Sequence, residues 1–269
     1  MQAPDTLGII AGSGVYPQEL ATAARKAGVR KIVAAAFTNE TDSVIDKHVD
    51  VVEWLRVGQL GGLLKFFREQ KVRQAIMAGQ IAPKNLFALR PDVKALVVLA
   101  KLKQRNAESI FTAIADELKK KNVDLLPATT FLEDYLAAKG LIGGTKLSRA
   151  EEEDVDFGWN IAKEIARLDI GQTIIVKNGT VLAVEAFEGT NDAMKRGGAL
   201  AREGAVMIKV AKPNQDMRFD VPVIGVETIK VAAAAKLRVI AVESGKTLVL
   251  ERDKVIDLAQ RGKISLVAR

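Results

Sequence analysis

The chain has 269 residues, 48% of them hydrophobic and 27% charged, which excludes a disordered protein and is long enough for two separate cores. There is no cysteine and a single histidine, His48, so disulfide frameworks, thiolate metal sites, cysteine nucleophiles and histidine-rich binuclear centres are excluded. The net charge of +7 is concentrated in residues 1–130, which hold 19 Lys+Arg against 13 Asp+Glu, and this favours an anionic partner. With aromatic residues at 5% and no basic stripe interleaved with them, nucleic acid is not that partner.

The amino terminus reads as a strand entering a loop, with no secretory signal pattern, and no apolar run reaches the roughly 18 residues of a membrane span. A cytoplasmic protein is expected. Thr6–Ala11 is a short apolar strand ending in "GSGVYP", followed by a helical pattern closed at Gly28, and "KIVAAAF" is the next buried strand. This strand–loop–helix–strand order predicts a parallel sheet. "VDVVEWLRV", with His48 just before it on an expected solvent-facing strand, and "QAIMAGQIA" supply the third and fourth strands. Two helices, the first opened by Pro91, then "VDLLPAT" as a strand and "FLEDYLAAK" as a helix lead to the glycine-rich stretch 140–147.

The expected organisation is α/β: a Rossmann-like open parallel sheet over 1–143, then an α+β domain over 144–269. The second half opens on a long charged helix whose Ser148 and Glu151 form a capping-box pattern. "TIIVKNGTVLAVEA" is a hairpin turning on Asn178-Gly179, and "RVIAVES-GKTLVLER" reads as a second hairpin.

Five stretches carry polar chemistry. In "AGSGVYP", Gly12, Ser13 and Gly14 sit between a buried strand and a helix, where backbone N–H groups can face an anion. A dinucleotide fingerprint is incomplete there: Pro17 replaces the third glycine, and Phe37 and Thr38 stand where a ribose-binding acid belongs. A non-redox phosphate or nucleotide site, or a plain tight turn, fits better. Gly79 and Gln80 end a parallel strand and would wall the same cleft. The segment 84–105 carries Lys84, Arg90, Lys94, Lys101, Lys103 and Arg105 against Asp92; its apolar face either docks into the core or lies on an anionic membrane. In "VEAFEGTNDAMKRGG", Thr190 or Asp192 caps a helix, or Lys195 and Arg196 face a phosphate.

The fifth stretch, "KPNQDMRFDVP", places Lys212, Gln215, Asp216, Arg218 and Asp220 between two apolar segments. Such carboxylates are exposed, ion-paired, or engaged with a cation or substrate. Asp216 and Asp220 could hold Mg²⁺ or act as general base, with Lys212 and Arg218 clamping phosphate oxygens; an internal Arg–Asp pair is the plainer alternative.

Together "GIIAGSGVYP", "MAGQIAP", "VLAVEAFEGTNDAMKRGG", "KPNQDMRFDVPVIG" and "VIAVESGKTLVLERDKVIDLA" resemble, in this order and spacing, the LpxI-type UDP-2,3-diacylglucosamine pyrophosphatases of Gram-negative lipid A synthesis. The likeness spans essentially the whole chain. It implies a Mg²⁺-dependent hydrolase that cleaves UDP-2,3-diacylglucosamine to UMP and 2,3-diacylglucosamine 1-phosphate. The family's catalytic aspartate matches Asp220, and its "KPNQD" motif matches Lys212, Gln215 and Asp216. One stretch departs from the pattern: "RNAES" stands where the family carries Gly-Asp-Asp, leaving Glu108 as the acid there. The near absence of histidine excludes a calcineurin-like metallophosphoesterase for the same reaction.

The resulting expectation is that Asp220, with Asp216, coordinates Mg²⁺ or orients water, while Lys212, Arg218 and Lys195 neutralise phosphate charge. Gly12, Ser13, Gly14, Gly79, Gln80, Thr190, Asp192 and Gln215 would complete the binding site. Transient contact with the inner membrane surface and a homo-oligomer are further expectations. The alternatives are a nucleotide-sugar-binding regulatory protein without catalysis and an NAD(P)-dependent oxidoreductase.

Overall fold

The computed structural model describes residues 3–81, 91–104 and 106–269. The first elements are β1 (Thr6–Ala11), α1 (Tyr16–Lys26), β2 (Lys31–Phe37), β3 (Val51–Leu55), α2 (Leu60–Glu69), β4 (Gln74–Ala78), α3 (Val93–Lys101), α4 (Ala107–Lys119) and β5 (Asp124–Leu125). The strands form one parallel sheet in the order β3-β2-β1-β4-β5. Strand order reverses between β1 and β4, so their carboxyl ends flank the position where open α/β sheets bind ligands. β1 and β2 are almost continuously apolar because helices cover both faces of such a sheet. One face packs Val33, Ala35, Leu63, Phe67, Ala75, Val98 and Leu118 into a single core.

The second set is β6 (Gly140–Gly143), α5 (Arg149–Arg167), β7 (Thr173–Lys177), β8 (Thr180–Val184), α6 (Thr190–Ala201) and β9 (Ala205–Lys209). It continues with β10 (Val223–Ile224), α7 (Val226–Ala234), β11 (Leu237–Val242), β12 (Leu248–Val249), α8 (Arg252–Arg261) and β13 (Ser265–Ala268). Six strands make a mixed sheet, β6-β13-β11-β9-β7-β8. Its centre, β9, β11 and β13, is parallel, and β6, β7 and β8 pair antiparallel at the edges. α5 packs on one face against Ile174, Val176, Val206 and Val239. The other face, with Ile175, Met207, Ile240 and Leu266, is covered by Met194 of α6, Ile229 of α7 and Val255 of α8.

Several local expectations hold for the expected reasons. Asn178 and Gly179 take φ of 50° and 67°, the two left-handed positions of a type I′ turn between β7 and β8. The Ser148 hydroxyl accepts from Glu151 N and the Glu151 carboxylate accepts from Ser148 N, closing the capping box of α5.

Others are corrected. The compact units divide at Leu132/Glu133, with Asp216–Asp220 grouped in the first, rather than at 143/144. Within the glycine-rich stretch 140–147, expected to mark the domain boundary, Gly140–Gly143 is an edge strand hydrogen-bonded to β13. "FLEDYLAAK" forms only a 3-10 turn at Glu133–Tyr135. β11 and β12 lie in different sheets, so no second hairpin exists there. His48 follows a 3-10 turn, Ser43–Lys47, and its Nδ1 lies 3.3 Å from the Thr22 hydroxyl. Pro91 precedes the cap of α3, where Asp92 accepts from Ala95 N. Lys84, Arg90 and Arg105 of the basic segment lie outside the described residues.

Glu117 ties α3 to α4. Its carboxylate, only 9% exposed, receives Lys120 at 2.9 Å and Lys94 at 2.5 Å. These hydrogen bonds, Lys120's first and then Lys94's, hold its pKa down at about 2, against an ordinary 4.5. A depressed carboxylate pKa stabilises the fold above the unfolded value, and that stabilisation is lost as pH falls from 4.5 through about 2. Glu117→Gln should therefore melt below wild type at neutral pH, with the gap closing as pH falls through this window. A gap independent of pH in thermal unfolding would refute the assignment.

Candidate active site

Within the first unit, the turns after β1 and β4 are laced together. Gly12 N donates to Ala78 O at 2.7 Å, Ser13 N to Gln80 O at 2.8 Å, and Gln80 N to Ser13 O at 3.3 Å. The Ser13 hydroxyl also donates to Gln80 O, at 2.7 Å. The approach is too close for side chains: a Cβ on Gly12 would lie 2.7 Å from Gln80 O, and one on Gly79, at φ 91°, 2.6 Å from Ser13 O. The N–H groups of Gly12, Ser13 and Gln80 thus hold the two strand ends together, which removes them from the expected set of anion donors. Gly14, at φ 85°, has open space where a side chain would be.

The Asp216–Asp220 segment belongs to this unit, and its backbone turns on its first residue. Asp216 O accepts from Phe219 N at 3.2 Å and from Asp220 N at 3.0 Å. The Asp216 carboxylate accepts Arg218 N at 3.0 Å, Arg218 Nε at 2.9 and 3.1 Å, and Arg218 Nη2 at 2.6 Å. The Arg–Asp pair read as the plainer alternative is therefore made. The guanidinium holds the Asp216 carboxyl below its ordinary pKa, and the carboxylate raises that of Arg218 in return. Arg218 also sits 5.8 Å from the centroid of the Phe219 ring, which meets Phe111 of α4 at 5.5 Å. Asp220 is half-buried at the end of the turn.

Two distant stretches meet here through one residue. The buried Tyr16 hydroxyl, at the start of α1, donates to Ala128 O at 2.5 Å, and Ala128 N donates to Met217 O at 2.7 Å. Burial pushes the Tyr16 phenol well above its ordinary pKa, so it stays a donor.

In the second unit, Lys212 and Gln215 share a turn: Gln215 Oε1 accepts Lys212 N at 2.7 Å, and Lys212 Nζ reaches Asp169 at 2.5 Å. Gln215 Nε2 is buried without a hydrogen-bond partner among the described residues. Thr190 heads α6 inside a buried polar cluster. Its hydroxyl lies 2.7 Å from Lys209 Nζ, 2.8 Å from Glu185 Oε1 and 3.5 Å from the Thr173 hydroxyl. Lys209 and Glu185 are 7% and 8% exposed, and Glu185 Oε2 has no partner among the described residues. Asp192 and Lys195 instead form an exposed pair at 2.8 Å, one turn apart on the same helix. Arg196 binds Glu188 at 2.6 Å. Sequence reasoning missed Lys209; the available signal was a lysine ending the otherwise apolar run "AVMIK".

Among the described residues no group of three or more His, Cys, Asp or Glu could hold a metal ion. Sites of the kind magnesium favours, one or two carboxylates plus substrate phosphates and water, need no such cage.

The LpxI amino-terminal domain model matches residues 6–135, and the LpxI carboxy-terminal domain model matches 138–267. The chain belongs to the LpxI family. A family relative, the UDP-2,3-diacylglucosamine pyrophosphatase LpxI of Caulobacter vibrioides, is 34% identical over 268 residues, covering 94% of this chain and 93% of the relative. The match takes in both sets of elements described above.

Removing the Tyr16 hydroxyl leaves Ala128 O unsatisfied in a buried position. Tyr16→Phe should therefore cost about 1–2 kcal/mol in urea unfolding. Unchanged stability would show that this link holds nothing.

Proposed function

We propose that the protein hydrolyses the pyrophosphate bond of UDP-2,3-diacylglucosamine, releasing UMP and 2,3-diacylglucosamine 1-phosphate in lipid A biosynthesis. The observation that carries this is the LpxI match over both halves of the chain; beside it stands a built turn that ends on Asp220, the residue that the sequence resemblance assigns to catalysis. The reaction adds water: its oxygen bonds to one phosphorus, the bridging P–O bond breaks, and the bridging oxygen leaves with the electron pair.

The two carboxylates of the motif take different parts. Asp216 uses both carboxylate oxygens on Arg218, so its part is to fix the turn and the guanidinium. Asp220 is assigned to the metal ion or to the attacking water. Mg²⁺, when bound, would supply neutralisation of pyrophosphate oxygens, and Asp220 is the residue assigned to hold it. Arg218 in the first unit and Lys212 in the second are each cations suited to phosphate charge, and Gln215 Nε2, buried without a hydrogen-bond partner among the described residues, is a donor for a substrate oxygen. Within the second unit, the Thr190–Lys209–Glu185 cluster is a cationic, hydroxyl-bearing group suited to an anion. Asp192 and Lys195 are tied to each other at the surface of the second unit.

Contact with the anionic membrane surface belongs to this reading. Among the described residues no helix is long and apolar enough to cross a membrane. α3, however, exposes Val93, Leu96 and Val97 beside Lys101 and Lys103, an apolar and basic surface suited to lying on lipid headgroups.

Purified protein with UDP-2,3-diacylglucosamine and Mg²⁺ should release UMP. EDTA should stop that release, and Asp220→Ala should lower the rate by about 10²-fold or more while leaving thermal unfolding near wild type. Near-normal turnover by Asp220→Ala would sink the assignment of this residue. UDP-sugar binding without UMP release would favour a regulatory protein.

A further inference from the structure

The first unit contains an apolar pocket that the chemistry above does not use. It encloses about 690 Å³, open solvent included, between the loop after β3, α2, α3 and α4. Leu63, Ala95, Val98, Leu102, Phe111 and Ile114 are among its walls. Among the described residues Gln59 is the one polar side chain in its lining, and its Oε1 already accepts from Arg56 N at 2.7 Å. A site without convergent polar groups cannot orient a nucleotide, a sugar or a phosphate; it suits a hydrocarbon.

Phe111 connects this pocket to the reacting region. The same ring that lines it packs 5.5 Å from Phe219, the residue before Asp220. A lipid whose pyrophosphate is handled at Asp220 would therefore carry its hydrocarbon within reach of the pocket. α3 lines the pocket with Ala95, Val98 and Leu99, while Val93, Leu96 and Val97 on its other side are exposed. One short helix thus has hydrocarbon-compatible surface on both faces, and the Lys94–Glu117 pair pins it to α4.

We infer that this pocket receives one acyl chain of the substrate and that its walls set the preferred chain length. The inference rests on the function proposed above. Leu63 and Val98, buried in the walls, are the gauge residues: the first reaches in from α2 and the second from α3.

The test is kcat/KM for UMP release over a series of UDP-2,3-diacylglucosamines with progressively shorter chains. Wild type should lose about fourfold per methylene removed while the chain lies in the pocket. Val98→Phe should abolish that advantage for the longest chains and leave short-chain substrates at the wild-type rate. Leu63→Ala should move the optimum to longer chains. Two variants acting in opposite directions separate a gauge from a loss of folding. If all three proteins show the same chain-length profile while releasing UMP, the inference is overturned and the proposed function stands.

If the wild type releases no UMP from any member of the series, the proposed function falls. The pocket is then tested by binding of a fluorescent long-chain fatty acid. Binding weakened at least tenfold by Val98→Phe supports a hydrocarbon site, whereas no binding, or binding indifferent to the variant, overturns it.

Discussion

A carboxylate placed between apolar segments must have its charge met, and the candidate site depends on how that is done for Asp216. Arg218 grips both of its oxygens, and Asp216 in turn accepts a backbone N–H through its side chain and two more through its carbonyl. The result is a rigid five-residue turn that contains an ion pair and ends on Asp220. Without the pair, partial burial of Asp216 would oppose the turn that ends on Asp220.

The turn is anchored through backbone groups. Met217 O accepts from Ala128, whose own carbonyl is held by the buried Tyr16 phenol at the start of α1. The glycine turns after β1 and β4 are bonded to one another at the position where the strand order reverses. The sheet thereby supplies a stiff platform rather than a row of open N–H donors, and preorganisation of this kind is what electrostatic catalysis requires. In the second unit, the Thr190 hydroxyl sits between a buried ammonium and a buried carboxylate, a low-dielectric arrangement in which each charge needs the others.

Much of this was legible in the residues. Continuous apolar runs with glycine turns marked β1, β2 and β4 as strands of a parallel sheet, because both faces of such strands are covered. Asn178-Gly179 and Ser148-x-x-Glu151 announced a turn and a cap whose geometry is local. The motif residues Asp216, Arg218 and Asp220 were found because three charges between apolar segments demand partners. The glycine-rich stretch 140–147, taken as a domain boundary, hides the edge strand Gly140–Gly143 because that strand's stabilisation lies in its neighbour β13, more than a hundred residues away in sequence. The hairpin expected over 238–252 failed for the same reason: β12 pairs with β10 instead of β11.

By itself the sequence determined what is local or compositional: the element types, the excluded chemistries and the family motifs. Tertiary structure decided which polar groups are already engaged. It turned the Gly12, Ser13 and Gln80 donors into lacing, Asp216 into a partner of Arg218, and Thr190, Lys209 and Glu185 into one cluster. It also left an apolar pocket beside Phe111. The physical reason is that hydrogen bonds and burial are satisfied between residues far apart in the chain, and pattern along one dimension carries no record of those distances.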